Sequence, residues 1–229
     1  MNSEPKQITI ASGKGGTGKT TVATNLAVTA ARAGHEVVLL DCDVEAPNCH
    51  LFLASDSQEH QTATVLVPEV DNQRCNGCGE CARACEFNAL ACLSDSVLVF
   101  PELCHGCGAC GLVCAEKAIS QGQRTIGFIE LCQTNGFRLG FGLLRLGEAQ
   151  VPPLIKQVLV WRNRIGLTIV DAPPGTSCSA IAAMRGSDYV MLVTEPTPFG
   201  LNDLRLAVET VRAVGLPCGV VVNRAGSGD

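Results

Sequence analysis

Eight of the fourteen cysteines fall into two copies of one pattern, Cys75-x-x-Cys78-x-x-Cys81-x-x-x-Cys85 and Cys104-x-x-Cys107-x-x-Cys110-x-x-x-Cys114. Corresponding cysteines are 29 residues apart throughout, so the blocks are an internal duplication. This run is the spacing of two-cluster iron–sulfur proteins, in which three thiolates hold one [4Fe–4S] cubane and the fourth reaches the other. Applied here, one cluster takes Cys75, Cys78, Cys81 and Cys114, and the second takes Cys104, Cys107, Cys110 and Cys85. Zinc is the rival, because repeated C-x-x-C pairs also build Zn–S₄ sites. The third cysteine at the same short step, doubled, favours iron–sulfur.

The proline that commonly follows the fourth cysteine is replaced by Glu86 and Ala115, which predicts altered packing or potential rather than loss of the clusters. Gly77, Gly79, Gly106 and Gly108 suit loops whose N–H groups turn toward sulfur. Cys42, Cys49, Cys92, Cys132, Cys178 and Cys218 fit neither copy and read by default as small buried hydrophobes, with redox reporting as the alternative for Cys42, between two aspartates, and for Cys178. His105 reads as a polar neighbour of the second block.

The 229 residues carry 46% hydrophobic but only 4% aromatic side chains, the Val/Ile/Leu/Ala interior of a parallel sheet covered on both faces. A net charge of −5 argues against a nucleic-acid groove. The N-terminus lacks the basic and apolar regions of a signal peptide, and no apolar run approaches the roughly 20 residues of a membrane span. A cytoplasmic location follows, with cysteines held as thiols or metal ligands.

Strand-like segments at Lys6–Ser12, Glu36–Leu40, Gly166–Val170, Tyr189–Val193 and Cys218–Val222 alternate with helical stretches at Thr20–Arg32, Pro153–Arg164 and Leu201–Val214. That rhythm calls for an α/β fold with a mainly parallel sheet. It stops between residues 63 and 121, where short strands at Val65–Val67 and Val97–Phe100 accompany the cysteine blocks. The expected organisation is one domain over 1–62 and 122–229, interrupted by a small α+β module over 63–121. The glycine-rich stretch 124–151 reads as the return path from module to sheet.

Gly13-Lys14-Gly15-Gly16-Thr17-Gly18-Lys19-Thr20 satisfies the phosphate-binding pattern G-x-x-x-x-G-K-[ST] between a strand and a helix. Its backbone N–H groups and the helix N-terminus present positive potential to phosphate. Lys19 should contact the β- and γ-phosphates, and Thr20 should ligate Mg²⁺. The nucleotide-binding set is Gly13, Gly15, Gly16, Thr17, Gly18, Lys19, Thr20 and Thr21.

With its extra Lys14, this loop resembles the deviant phosphate loop of the Mrp/MinD/ParA ATPases, relatives of the nitrogenase iron protein. The resemblance implies a three-layer P-loop fold, with Lys14 coupling ATP hydrolysis to dimerisation. Asp41-Cys42-Asp43 resembles the family's first switch, which implies Asp43 as the residue positioning water near Mg²⁺ and Asp41 as a strand-end partner. Asp171-Ala-Pro-Pro-Gly175 resembles the Walker B and second-switch segment, with Asp171 holding Mg²⁺ through water and Gly175 sensing the γ-phosphate. Asn223 and Arg224 resemble the step that reads adenine. Glu195-Pro-Thr-Pro198 reads as a proline-punctuated loop without chemistry. The sequence stops at Asp229, directly after that step, where relatives usually continue, so either the sequence is shortened there or the adenine pocket is incomplete.

Three functions fit. The first is an ATPase whose dimeric switch gates electron transfer through the clusters to a partner protein. The second is an ATP-dependent iron–sulfur carrier or assembly factor that passes a cluster to an acceptor protein. The third is a nucleotide-dependent scaffold with structural clusters. The resemblance implies a homodimer, or a heterodimer with a paralogue, while the net charge of −5 and the lack of an amphipathic membrane helix and of a basic surface run argue against nucleic-acid binding and membrane insertion.

Overall fold

The computed structural model describes residues 6–94, 96–134, 136–163 and 165–226; Met1–Pro5 and Arg164 lie outside them. Ala63–Ile126 with Arg145–Ala149 form one compact unit, and the other described residues form a second, larger one. The segment 63–121 expected as an insertion falls inside the smaller unit, whose far boundary is Ile126.

Along the chain, β1 (Lys6–Ala11) leads through the glycine loop into α1 (Lys19–Arg32). β2 (Val37–Asp41) is buried at every position, as a strand covered on both faces must be. A single turn, α2 (Cys49–Phe52), precedes the long β3 (Ser55–Val70). Next come α3 (Glu80–Arg83), β4 (Leu90–Leu93), β5 (Ser96–Val99) and α4 (Ala109–Val113). The chain then forms β6 (Ile119–Thr134), β7 (Arg138–Leu144), α5 (Val151–Val158), β8 (Leu167–Asp171), α6 (Cys178–Met184), β9 (Tyr189–Thr194), α7 (Pro198–Val214) and β10 (Cys218–Val222).

The main sheet has the order β10-β9-β1-β8-β2-β7-β6-β3. Neighbours from β10 through β7 run parallel, and β6 pairs antiparallel with β7. The result is a three-layer α/β fold with a mostly parallel sheet. Ile10, Leu39 and Ile169 meet Ala23 and Ala27 of α1 in its core, all fully buried. The two alanines stand one helical turn apart, so the helix approaches the sheet closely along one face. Each buried Ile or Leu contributes about 1.5–3 kcal/mol.

Two expectations need correction. The stretch 124–151 is no loose return path: it supplies most of β6 and all of β7, two strands of the main sheet. Glycines hid the strand pattern there for packing reasons. A Cβ at Gly142 would meet Val158 Cγ2 and Val44 Cγ1 at 2.8 Å, and one at Gly140 would meet Leu40 Cδ2 at 3.0 Å. Close approach of neighbours removed the side chains that announce a strand. The helix expected over Pro153–Arg164 ends at Val158 and closes with a 3₁₀ turn over Leu159–Trp161.

The smaller unit has its own core of Val67, Cys81, Ala89, Leu90, Val97 and Cys104. The antiparallel pair β4–β5 forms a separate two-stranded sheet, and Val65–Val67 lies within β3 rather than forming a strand of its own. A buried bidentate pair, Arg124 with Glu148, holds Arg145–Ala149 to this unit. Among the described residues, no helix is long and apolar enough to cross a membrane.

Gly142→Ala should destabilise the protein by about 1–3 kcal/mol through overpacking against Val44 and Val158. Chemical denaturation measures this, and an unchanged midpoint would contradict the packing described.

Candidate nucleotide and metal-binding sites

The loop between β1 and α1 turns through left-handed backbone at Gly16 (φ 79°) and Gly18 (φ 95°), and Gly18 caps the helix. Glycine is required at Gly18 for a second reason, because a Cβ there would stand 2.3 Å from Asn223 Nδ2. Gly13 is equally constrained, with the Asp203 carbonyl oxygen of α7 at 2.1 Å from a built Cβ. Gly15 and Gly16 border open space. Thr17 is buried and its hydroxyl has no partner among the described residues, while Thr21 is exposed. Lys19 is 7% exposed; burial lowers its pKa, and the nearby carboxylates of Asp171, Asp43 and Asp41 oppose that shift.

β2 and β8 pair with Asp41 opposite Asp171, so two carboxylates end neighbouring strands in register. Asp41 accepts backbone N–H groups from Asp43 (3.0 Å), Asn48 (2.9 Å) and Cys49 (2.9 Å), and thereby shapes the turn after β2. Asp171 Oδ2 accepts the Thr20 hydroxyl at 2.6 Å, while its Oδ1 is buried without a partner. Burial, then the negative Asp41, raises the Asp171 pKa from 3.8 to about 7, against the pull of Thr20 and Lys19. The same two causes raise half-buried Asp43 to about 6.

Cys49 joins this group, with Sγ 3.5 Å from Asp171 Oδ2. Donor atoms of Asp41, Cys49 and Asp171 lie within 4.8 Å of one another. An uncompensated buried carboxylate oxygen beside a threonine hydroxyl suits a hard divalent cation with oxygen ligands. Sequence reading missed Cys49, whose pattern resembles any small buried residue. The Gly175 N–H donates to the Ser12 carbonyl at 2.9 Å, which brings Gly175 against the end of β1.

Asn223 Nδ2 donates to the Thr17 carbonyl at 2.9 Å, bringing the segment after β10 to the phosphate loop. Glu195, read from sequence as punctuation, pairs with Lys14 Nζ through Oε1 and with Arg224 Nη1 at 3.3 Å through Oε2. The two prolines flanking Thr197 were the available signal, since a rigid turn can aim a side chain.

In the smaller unit, Cys75, Cys78, Cys81 and Cys114 line one cavity of about 200 Å³, and Cys85, Cys104, Cys107 and Cys110 line another of about 270 Å³. These are the two crossed quartets of the sequence pattern. Cys78 and Cys107 are exposed, Cys81 and Cys104 buried, and the remaining four lie between. Backbone N–H groups of Ala89 and Ala118 donate to Cys85 and Cys114 sulfurs at 3.3 Å, and Gly106 to Cys104 at 3.4 Å. All four loop glycines have positive φ. His105 stacks on Phe87, with ring centroids 3.7 Å apart. Of the six other cysteines, Cys42, Cys49 and Cys132 are buried, Cys92 and Cys218 are half-buried, and Cys178 is exposed, which corrects its reading as a buried hydrophobe.

Residues 8–229 match the family described as the CobQ/CobB/MinD/ParA nucleotide binding domain. The chain belongs to this family. An uncharacterized protein of Methanocaldococcus jannaschii is 34% identical over 96% of this chain and 78% of its own length. The cytosolic Fe-S cluster assembly factor Nubp2 homolog of Anopheles gambiae is 27% identical, over 96% of this chain and 68% of its own. The septum site-determining protein MinD of Pyrococcus horikoshii, solved with Mg-ADP, shares the fold with a TM-score of 0.57 at 20% identity, over 97% of this chain and 71% of that one. As a MinD/ParA-type domain, the larger unit is a P-loop nucleotide-binding fold.

Folded Asp171 binds its proton more tightly than an unfolded carboxyl, so its ionisation weakens the fold as pH rises from about 4 to about 7. Asp171→Asn removes that penalty. In nucleotide-free protein without divalent cations, its stabilising effect should be larger at pH 8 than at pH 4, by on the order of 3 kcal/mol. Equal effects at both pH values would contradict the buried, ionisation-averse carboxylate.

Proposed function

We propose that this MinD/ParA-type protein is an ATP-dependent iron–sulfur protein of cluster assembly. Its smaller unit would hold two [4Fe–4S] clusters, and its larger unit a nucleotide switch that controls their delivery. The observation that carries this reading is the pair of cavities, each lined by one crossed cysteine quartet. A unit this small, with Cys81 and Cys104 in its buried core, is also the kind that depends on a bound metal for stability.

Nucleotide and Mg²⁺ fit the larger unit, since the Thr17 hydroxyl and Asp171 Oδ1 are buried polar atoms still lacking partners. Lys19 would bind the β- and γ-phosphates through Nζ, and the Thr20 hydroxyl and Asp171 would hold Mg²⁺. When bound, the ion neutralises phosphate charge. Asp43, half-buried and ionised above about pH 6, would orient water through its carboxylate, and the Gly175 N–H would leave Ser12 to report the γ-phosphate. Lys14 would act in a homodimer, or in a heterodimer with a paralogue.

Two observations favour assembly. Relatives that align along 96% of the chain are named cytosolic Fe-S cluster assembly factors. Each quartet also keeps one exposed cysteine, Cys78 or Cys107, where an acceptor thiolate could take over a ligand position. Nucleotide-gated electron transfer is the second reading, favoured by buried Cys81 and Cys104, which suit permanent residence.

Anaerobic reconstitution followed by incubation with apo-ferredoxin separates the two. Assembly predicts transfer of a cluster to the acceptor, accelerated by Mg-ATP. No transfer, together with a nucleotide-dependent shift of reduction potential by EPR titration, would overturn assembly in favour of electron transfer. Lys19→Ala should weaken ATP binding about 10- to 100-fold through loss of a charged hydrogen-bonding group. Lys14→Ala should keep affinity within a few-fold and abolish turnover; unchanged turnover would sink the dimer-coupled mechanism.

A further inference from the structure

The segment between β9 and α7 belongs to none of the nucleotide motifs, yet its Glu195 touches both ends of the nucleotide site. One carboxylate oxygen pairs with Lys14 Nζ in the phosphate loop, and the other lies 3.3 Å from Arg224 Nη1. Asn223 closes the ring: Nδ2 donates to the Thr17 carbonyl and Oδ1 accepts the Arg224 N–H, both at 2.9 Å. Loop residues 14 and 17 are thereby tied to consecutive residues 223 and 224 through one carboxylate and one amide.

The turn that presents Glu195 is built to hold it still. The Thr197 N–H donates to the Glu195 carbonyl at 2.8 Å, and the Thr197 hydroxyl accepts the Gly200 N–H at 3.0 Å to cap α7. The Thr194 hydroxyl donates to the Gly200 carbonyl at 3.0 Å, and the Thr194 carbonyl accepts the Asn223 N–H at 2.8 Å. Gly200 has no room for a Cβ, which would stand 2.3 Å from the Glu195 carbonyl oxygen. A side chain aimed from so fixed a turn loses little entropy in holding a cation.

We propose that Glu195 is a positioning residue for the nucleotide: it holds Lys14 and Arg224 together when no nucleotide is present, and an incoming triphosphate competes with it for Lys14. The inference rests on the nucleotide-binding reading of the larger unit. Lys14 Nζ is one compact charge, so a carboxylate seated on it occupies the place of a phosphate oxygen. With Lys14 side chain 31% exposed and Glu195 15%, the pair is weak enough for a triphosphate to displace. Displacement leaves Glu195 on Arg224 alone, which gives the bound and free states different contacts, as a two-state switch requires.

The test is the affinity of full-length protein for N-methylanthraniloyl-ATP with Mg²⁺ at low salt, measured for wild type, Glu195→Gln, Lys14→Ala and the double variant. Glu195→Gln should bind about two- to five-fold tighter, the fold-change expected from loss of one partly exposed ion pair. That gain should shrink at high salt and vanish in the Lys14→Ala background. A thermal melt identifies a variant that has merely lost its fold. Independently of nucleotide, acetylation of Lys14 read by mass spectrometry should be faster in Glu195→Gln than in wild type. Equal or weaker nucleotide binding by folded Glu195→Gln with unchanged Lys14 acetylation overturns the proposal, as does a gain that persists without Lys14. Absence of binding by wild type would instead overturn the nucleotide reading on which it rests.

Discussion

Two buried carboxylates, Asp41 and Asp171, end neighbouring parallel strands in register, and the larger unit is organised around keeping that charge inside. Burial raises the pKa of both carboxyls, and the negative Asp41 raises that of Asp171 further. Compensation comes from three backbone N–H groups on Asp41, which fold the segment after β2, and from Thr20 and Lys19 on Asp171, which fix the start of α1. The phosphate loop and the segments after β2 and β8 are therefore shaped by one electrostatic problem. Its incomplete solution, an Asp171 oxygen without a partner, is what makes the site receptive to a cation.

The smaller unit answers a different constraint. Its buried core is short and includes Cys81 and Cys104, so apolar burial alone gives it little. Positive-φ glycines turn each cysteine loop, and backbone N–H groups already point at three of the sulfurs. Such preorganisation lowers the reorganisation that ligand binding demands.

Much of this was legible in the sequence, for identifiable reasons. The phosphate loop and the strands ending at Asp41 and Asp171 announce themselves through glycine spacing and continuous apolar runs. The crossed quartets follow from cysteine spacing, because that chemistry tolerates few arrangements. β6 and β7 stayed hidden because Gly127, Gly140 and Gly142 are glycines for tertiary reasons: neighbouring side chains and backbone fill the space a Cβ would need. Cys49 and Glu195 were missed for a related reason. Cys49 meets Asp171, and Glu195 meets Lys14, across more than a hundred residues of chain, and no local pattern marks them.

The protein joins a nucleotide-binding fold to a pair of cysteine-lined cavities, and metal content tests that union most directly. Protein isolated under strict anaerobiosis should carry about eight iron and about eight acid-labile sulfide per chain, as two [4Fe–4S] clusters require. Cys85→Ser and Cys114→Ser should each perturb a different cluster, Cys85 that of the Cys104 block and Cys114 that of the Cys75 block. Two zinc ions per chain with no labile sulfide would contradict it.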